Sequence, residues 1–342
     1  MTTPRLTERR PELTPDSMVE AMKPPPRFDA ARFDNYIPNP DEPSQEQAVA
    51  ACREFAAGVA KAAPKPAKQG RLRSLFGGGG GAKSPERPGL YLDGGFGVGK
   101  THLLASLWHE VPGPKSYGTF VELTNLVGAL GFAGTVRRLS EHRLVAIDEF
   151  ELDDPGDTML VTQLLTKLTE AGVRVAATSN TLPDKLGEGR FAADDFLREI
   201  HALSAKFGVV RVDGPDYRHR GMPDPPEPMP DSELVELAAA TDDATLDGFD
   251  ELCQFLHGLH PSKYGALVDG VSAVHLRDLH AVPDQDVGLR VVALADRLYD
   301  RAIPVRVSGK DISALFPDEM LGGGYRKKYL RALSRLTALA RD

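Results

Sequence analysis

Gly94-Gly95-Phe96-Gly97-Val98-Gly99-Lys100-Thr101 reads G-x-x-x-x-G-K-T, the spacing of a phosphate-binding loop. The apolar run Gly89-Leu90-Tyr91-Leu92 before it suits a buried strand. Leu103, Leu104, Leu107 and Trp108 after it recur at helical spacing. The pattern therefore sits between a strand end and a helix start. Glycines there let the backbone curl so that successive N–H groups point inward at phosphate oxygens. The first helical turn adds unpaired donors and the positive end of its dipole. In this reading Gly94 to His102 line a nucleoside triphosphate, Lys100 reaches its β- and γ-phosphates, and the Thr101 hydroxyl ligates a metal. The implied cofactors are ATP and Mg²⁺.

A second stretch completes the chemistry. Leu144-Val145-Ala146-Ile147 is an apolar strand that delivers Asp148-Glu149 at its carboxyl end. Asp148 is expected to hold the Mg²⁺ shell and Glu149 to polarise the attacking water as general base. The adjacent glutamate favours a hydrolase over a small-molecule kinase, whose nucleophile comes from its substrate. The strand Val173–Ala177 ends in Thr178-Ser179-Asn180. In a sheet of this type it lies between the two motif-bearing strands, so Asn180 is expected to face the γ-phosphate and align the water; an Asx-turn before Pro183 is its plainer reading. A cation is usually brought to the far side of the transferring phosphoryl group, and Arg190, in a loop, and Arg198, on the following helix, are the candidates.

Around these motifs, strands are expected at 89–93, 117–121, 143–147, 173–178 and 208–212, with helices at 100–110, 124–132, 157–171 and 193–207. Such alternation implies an α/β fold, a parallel sheet covered by helices with ligands at the carboxyl ends of its strands. Residues 1–43 read as a Pro-rich arm strapped down by Phe28, Phe33, Tyr36 and Ile37, with a short helix near 17–22. Residues 44–88 read as a helix and a Gly-rich linker. Ser44 caps that helix with Gln47 completing a capping box, and Ala48, Cys52, Phe55 and Val59 line one face. The core spans 89–220, and 221–342 forms a mostly helical α/β region entered through Pro223, Pro225, Pro226, Pro228 and Pro230.

In that last region helices are expected near 231–240, 247–258, 261–269, 285–302 and 325–340, with apolar strands at 274–276 and 303–307. One internal echo appears there. Ile147–Leu186 runs strand, acidic turn, helix, strand and a Pro/Asp/Lys turn, and His275–Leu315 repeats that order. Generic strand–helix–strand similarity accounts for most of it.

Composition bounds the rest. The 342 residues, 41% hydrophobic and 26% charged, are those of a globular protein, and a formal charge of −8 argues against stable nucleic-acid binding. The basic residues Lys65, Lys68, Arg71 and Arg73 read as a solvated loop. Two cysteines, Cys52 and Cys253, offer no disulfide framework or cysteine-based zinc site, which suits a cytoplasmic protein. Cys253 lies in an apolar helical pattern and reads as a core residue. No run long enough to span a bilayer occurs, so membrane contact is expected to be peripheral at most.

Taken together, Leu90–Leu92 with Gly94–Thr101, Ile147–Phe150, Thr178–Asn180 with Leu182-Pro183, Asp216-Tyr217-Arg218, the segment Ala293–Tyr299 and the segment Tyr329–Leu336 resemble the ZapE-type cell-division ATPases, whose mitochondrial relatives are the AFG-one-like ATPases. The resemblance covers roughly residues 28–341. It implies an AAA+-type P-loop ATPase that is cytosolic in bacteria and acts at the division ring on the tubulin-like protein FtsZ; subunit contacts that complete its sites would make a homo-oligomer nucleotide-dependent. Gly94–Thr101, Asp148, Glu149 and Asn180 match the family's ATP-site positions. Val98, Thr181 and Ala193 stand where the family often carries arginine, and segment 111–141 is shorter than usual. Two other functions fit the same motifs: a nucleotide-gated adaptor with little turnover, and a helicase-loader-like ATPase acting on DNA.

Overall fold

The computed structural model describes residues 3–61, 87–95, 97–152, 155–186, 197–215 and 225–341. The chain divides into a loop-bearing unit, residues 15–24 and 28–217, and a C-terminal unit, residues 218–342 together with 1–14 and 25–27.

In the loop-bearing unit the elements run α1 (Pro15–Glu20), α2 (Pro43–Lys61), β1 (Gly89–Gly94), α3 (Lys100–Glu110), β2 (Lys115–Thr119), α4 (Phe120–Leu130), α5 (Phe132–Leu139), β3 (Leu144–Asp148), α6 (Pro155–Glu170), β4 (Arg174–Ser179), α7 (Leu197–Ser204) and β5 (Phe207–Val212). All five strands pair in parallel, in the order β2-β3-β4-β1-β5. Their residues alternate between two apolar layers, because successive side chains in a strand point to opposite faces. Leu90 and Leu92 of β1, with Leu144 and Ala146 of β3, join Cys52, Leu103 and Leu104 on one face. Tyr91, Val145 and Ile147 join Leu123, Leu164 and Phe150 on the other. A sheet buried on both sides results, as the continuous apolar strands require.

Several local expectations shift. Strand β2 and helix α4 begin earlier than periodicity indicated, because Thr119 accepts from the Glu122 N–H while the Glu122 carboxylate accepts from the Thr119 N–H, a capping box placed directly at the strand's end. Helix α2 starts at Pro43, so Ser44 is not its cap. The Ser44 hydroxyl instead accepts from the Asp213 N–H beyond β5, at 2.9 Å. Phe33 of the arm is buried and Phe28 and Tyr36 pack against the core, but Ile37 is 81% exposed and anchors nothing. Leu6 and Met22 are buried instead. Most of the Gly-rich linker and Asp216-Tyr217-Arg218 lie outside the described residues.

The C-terminal unit contains α8 (Asp231–Ala240), β6 (Thr245–Gly248), α9 (Phe249–Gly258), α10 (Tyr264–Leu267), β7 (Val274–Leu279), α11 (Gln285–Asp300), β8 (Val305–Gly309), α12 (Asp318–Leu321) and α13 (Arg326–Leu339). Its three strands are parallel, in the order β6-β7-β8. Strand β6 is not expected from the sequence, whose apolar spacing starts the following helix at 247, two residues before α9 begins. The first residues of the chain dress its edge: the Leu246 N–H donates to the Pro4 carbonyl, and buried Asp247 accepts from the Leu6 and Thr7 N–H groups at 2.9 and 3.1 Å. Cys52 and Cys253 are both buried, and burial pushes both thiols up to about 12, consistent with packing rather than reactivity. Among the described residues no helix is long and apolar enough to cross a membrane.

Glycine spacing makes a contrast that stability measurements can read. A Cβ on Gly94 would lie 2.1 Å from the Val212 carbonyl oxygen of β5, whereas one on Gly128 of α4 meets nothing within 4 Å. Gly94→Ala is expected to destabilise the fold by about 1–3 kcal/mol through forced separation of β1 from β5. Gly128→Ala is expected to stabilise it by roughly 0.5–1 kcal/mol. Denaturant midpoints of the two variants check both signs.

Candidate nucleotide site

Because β4 pairs with both β1 and β3, three stretches far apart in sequence end side by side at the carboxyl edge of the sheet. Strand β1 delivers the loop, β3 delivers Asp148-Glu149, and β4 delivers Thr178-Ser179-Asn180. This is where a parallel sheet exposes its ligand-binding edge.

The loop has the backbone its glycines permit. Gly97 and Gly99 adopt φ values of 69° and 90°, and Gly99 is the N-cap of α3. Val98 between them is buried in the apolar layer, so only its main chain is available to a ligand. Lys100 is 8% exposed. Its Nζ donates to the Gly94 carbonyl and to Asn180 Oδ1, each at 2.9 Å, and also to the Gly95 carbonyl. The lysine therefore links the loop to the tip of β4, the two places a γ-phosphate would bridge.

Asp148 is the most strongly held group. It is buried, and it accepts from the Thr178 hydroxyl, from the Tyr117 hydroxyl at 2.8 Å and from the Thr101 hydroxyl at 3.4 Å. Burial pushes its carboxyl up, the neighbouring Glu149 pushes the same way, and the hydroxyls of Thr178, Tyr117 and Thr101 pull it back. A hydroxyl and a carboxylate converging here form an all-oxygen donor set of the kind a hard divalent cation prefers. Glu149 follows at φ 52°, a left-handed conformation uncommon for a non-glycine residue. Two hydrogen bonds hold it there: its N–H donates to Asp148 Oδ1 and to Thr178 Oγ1, both at 3.1 Å.

His102 belongs to a different neighbourhood. Its Nε2 lies 3.1 Å from the Arg32 carbonyl oxygen, and its ring meets the edge of Tyr36 with centroids 5.6 Å apart. The Tyr36 hydroxyl donates to the Val98 carbonyl at 2.9 Å, and a Cβ on Gly99 would lie 2.5 Å from the Tyr36 ring. Burial pushes the Tyr36 phenol up to about 12, so it acts as a neutral donor.

Of the predicted residues, Gly94, Gly95, Gly97, Gly99, Lys100, Thr101, Asp148, Glu149 and Asn180 gather at this sheet edge. Phe96 and Arg190 lie outside the described residues. Arg198 is exposed on α7, and among the described residues no hydrogen bond or ion pair joins it to the loop or to Asp148. Sequence reasoning passed over Tyr117, Thr178 and Tyr36 as site residues. Tyr117 looks like any aromatic of a buried strand, and its role follows from the register that sets Thr119 beside Asp148.

Known proteins resemble this chain over parts of its length. A region of 144 residues is 34% identical to the cell division protein ZapE of Escherichia coli K12, covering 39% of this chain and 38% of that one. A region of 165 residues is 27% identical to the lactation elevated protein 1 homolog B of Danio rerio, covering 41% and 33%. The chain thus aligns with less than half the length of these relatives. Among solved structures, domain III of the Thermotoga maritima replication initiation protein DnaA is 19% identical with a TM-score of 0.40, over 56% of this chain and 70% of that one. The sequence model of the AFG1-like ATPases matches residues 18–241 and 226–342, almost the whole chain. With its loop, acidic strand tip and sheet order in place, the chain belongs to the AFG1-like ATPase family.

Proposed function

We propose that this protein binds Mg²⁺-ATP at the edge formed by β1, β3 and β4, hydrolyses it to ADP and phosphate, and uses the cycle to act on a protein partner. The observation that carries this reading is the Lys100–Asn180 link beside the Thr101–Asp148 pair, which brings the loop, the acidic end of β3 and the polar end of β4 into one cluster.

The residues divide the work. Main-chain N–H groups of Gly97 to Thr101 cradle phosphate oxygens, and Lys100 exchanges its carbonyl partners for phosphate. Thr101 and Asp148 hold Mg²⁺, which supplies charge neutralisation at the phosphates. Tyr117 and Thr178 fix the Asp148 carboxylate so that one oxygen is presented to the metal. Glu149, set by its left-handed backbone, takes the proton of the attacking water, and Asn180 aligns that water. Arg190 or Arg198 completes the site from the far side, within the chain or from a neighbouring subunit. Assembly into a nucleotide-dependent homo-oligomer and a cytoplasmic location accompany this reading.

The relative named for cell division supports a partner in the division machinery, and the family resemblance singles out FtsZ. A slow nucleotide-gated adaptor is the second reading, favoured by Val98, Thr181 and Ala193 standing where the family often carries arginine. Phosphate release measured at rising protein concentration separates them: a shared-site motor speeds up per subunit as it assembles, and an adaptor does not.

Lys100→Ala is expected to abolish nucleotide binding. Glu149→Gln is expected to retain ATP while the steady-state rate falls by roughly 10²–10⁴-fold. Parental turnover in Glu149→Gln would remove the glutamate from its assigned role. Tyr117→Phe deletes one hydrogen bond to a buried carboxylate. It should raise the Mg²⁺ concentration for half-maximal turnover several-fold, while nucleotide affinity in the presence of EDTA stays at the parental value. A change in both would mark Tyr117 as a general packing residue.

A further inference from the structure

The echo between Ile147–Leu186 and His275–Leu315 extends much further in three dimensions. In the loop-bearing unit, α3 is followed by β2, α4, α5, β3, α6, β4, a 3₁₀ turn (Pro183–Lys185) and α7. In the C-terminal unit, α8 is followed by β6, α9, a 3₁₀ turn (Pro261–Lys263), α10, β7, α11, β8, a 3₁₀ turn (Ile312–Leu315), α12 and α13. The strand orders β2-β3-β4 and β6-β7-β8 are the same, and both sets are parallel. Helices α3 and α8 each pack against all three strands of their set. Helix α7 packs on α6 and its 3₁₀ turn, as α13 packs on α11 and its own.

The correspondence holds residue by residue. In the first set, pairing aligns Thr119 with Asp148, and continuing the β3–β4 register sets Asp148 beside Thr178. In the second, Gly248 aligns with Arg277, and Arg277 and Ser308 each follow the paired residues Leu276 and Val307, at a bulge in β7 between Leu276 and Leu279 that β3 lacks. Thr119 and Gly248 are both N-caps, of helices beginning Phe-Val-Glu-Leu and Phe-Asp-Glu-Leu. The residue after Asp148 and the residue after Arg277 are acidic and left-handed: Glu149 at φ 52° and Asp278 at φ 56°. In each case the N–H donates to the hydroxyl on the next strand, Thr178 at 3.1 Å and Ser308 at 3.2 Å. Helices α6 and α11 end alike. Gly172 and Ala302 take positive φ, and the N–H groups of Val173 and Ile303 reach back to Leu168 and Leu298 at 3.0 Å. A shared strand–helix–strand topology does not dictate matching registers, caps and left-handed residues at a nearly constant spacing along the chain.

What differs is charge. Lys100 opens α3, and Asp231 opens α8. Asp148 ends β3, and Arg277 stands at its counterpart on β7. Arg277 donates to both oxygens of Asp231, at 2.9 and 2.6 Å, and Ser308 donates to Asp231 at 3.1 Å. Before α8 the glycine loop is replaced by Pro225-Pro226-Glu227-Pro228-Met229-Pro230, four of whose six residues have no N–H to offer a phosphate. The Met229 N–H of this segment donates to the Val307 carbonyl of β8 at 2.8 Å.

We propose that the C-terminal unit is a second copy of the ATPase core in which a charge-reversed pair, Asp231 and Arg277, closes the nucleotide position, so that each chain binds a single nucleotide. The count rests on the function proposed above; the pairing does not. Isothermal titration with Mg²⁺-ATPγS should give one site per chain in the parental protein and none in Lys100→Ala. Two sites, or binding that survives Lys100→Ala, would overturn the closed second copy. No binding by the parental protein would instead overturn the first site's assignment, and thermal unfolding then decides the second. Asp231→Lys and Arg277→Asp should each lower the midpoint by about 2 °C or more, and the double exchange should recover most of that loss. A double variant that falls by the sum of the two singles would overturn the proposal.

Discussion

The insertion of β4 between β1 and β3 is the constraint on which the site depends. Parallel neighbours end at the same edge, so the loop after β1, the acidic pair after β3 and the polar tip of β4 become adjacent although about 85 residues separate the first from the last. Burial on both faces keeps that order rigid. Tyr91 and Leu92 face opposite layers of the same sheet, and a slip of one residue in β1 would exchange them.

At this edge, electrostatics and backbone conformation are coupled. Asp148 is a carboxylate in a desolvated place, tolerated because three hydroxyls surround it. Thr178 serves twice, donating to Asp148 and accepting from the Glu149 N–H, so the same side chain holds the buried carboxylate and the left-handed turn at Glu149. Lys100 rests on carbonyl oxygens and on Asn180, which satisfy an ammonium group hydrogen bond by hydrogen bond. Phosphate oxygens satisfy it equally well and add opposite charge.

The C-terminal unit separates what this backbone needs from what its chemistry needs. Turn, cap and strand register recur there with Ser308 and Asp278 in place of Thr178 and Glu149, because those features follow from local hydrogen bonding and sterics. The charges of Lys100 and Asp148 do not recur, Asp231 and Arg277 standing at their counterparts. There an aspartate and an arginine partner each other directly.

The amino-acid sequence alone determined the loop, the acidic strand tip, the parallel fold and the candidate role of Asn180, because each is written in short-range spacing: glycines for a curl, an apolar run for a strand, a polar residue at its end. It also placed α3, α8 and most strands to within two residues. What only the tertiary structure decided were the partners that short-range spacing does not encode. Tyr117 reaches Asp148 through strand register, Tyr36 covers Gly99 from a segment more than sixty residues away, and Ser44 caps the end of β5 rather than its own helix. Strand β6 and the Asp247 hold on Leu6 and Thr7 likewise exist only because distant backbone needs a hydrogen-bond partner, a demand no local window displays.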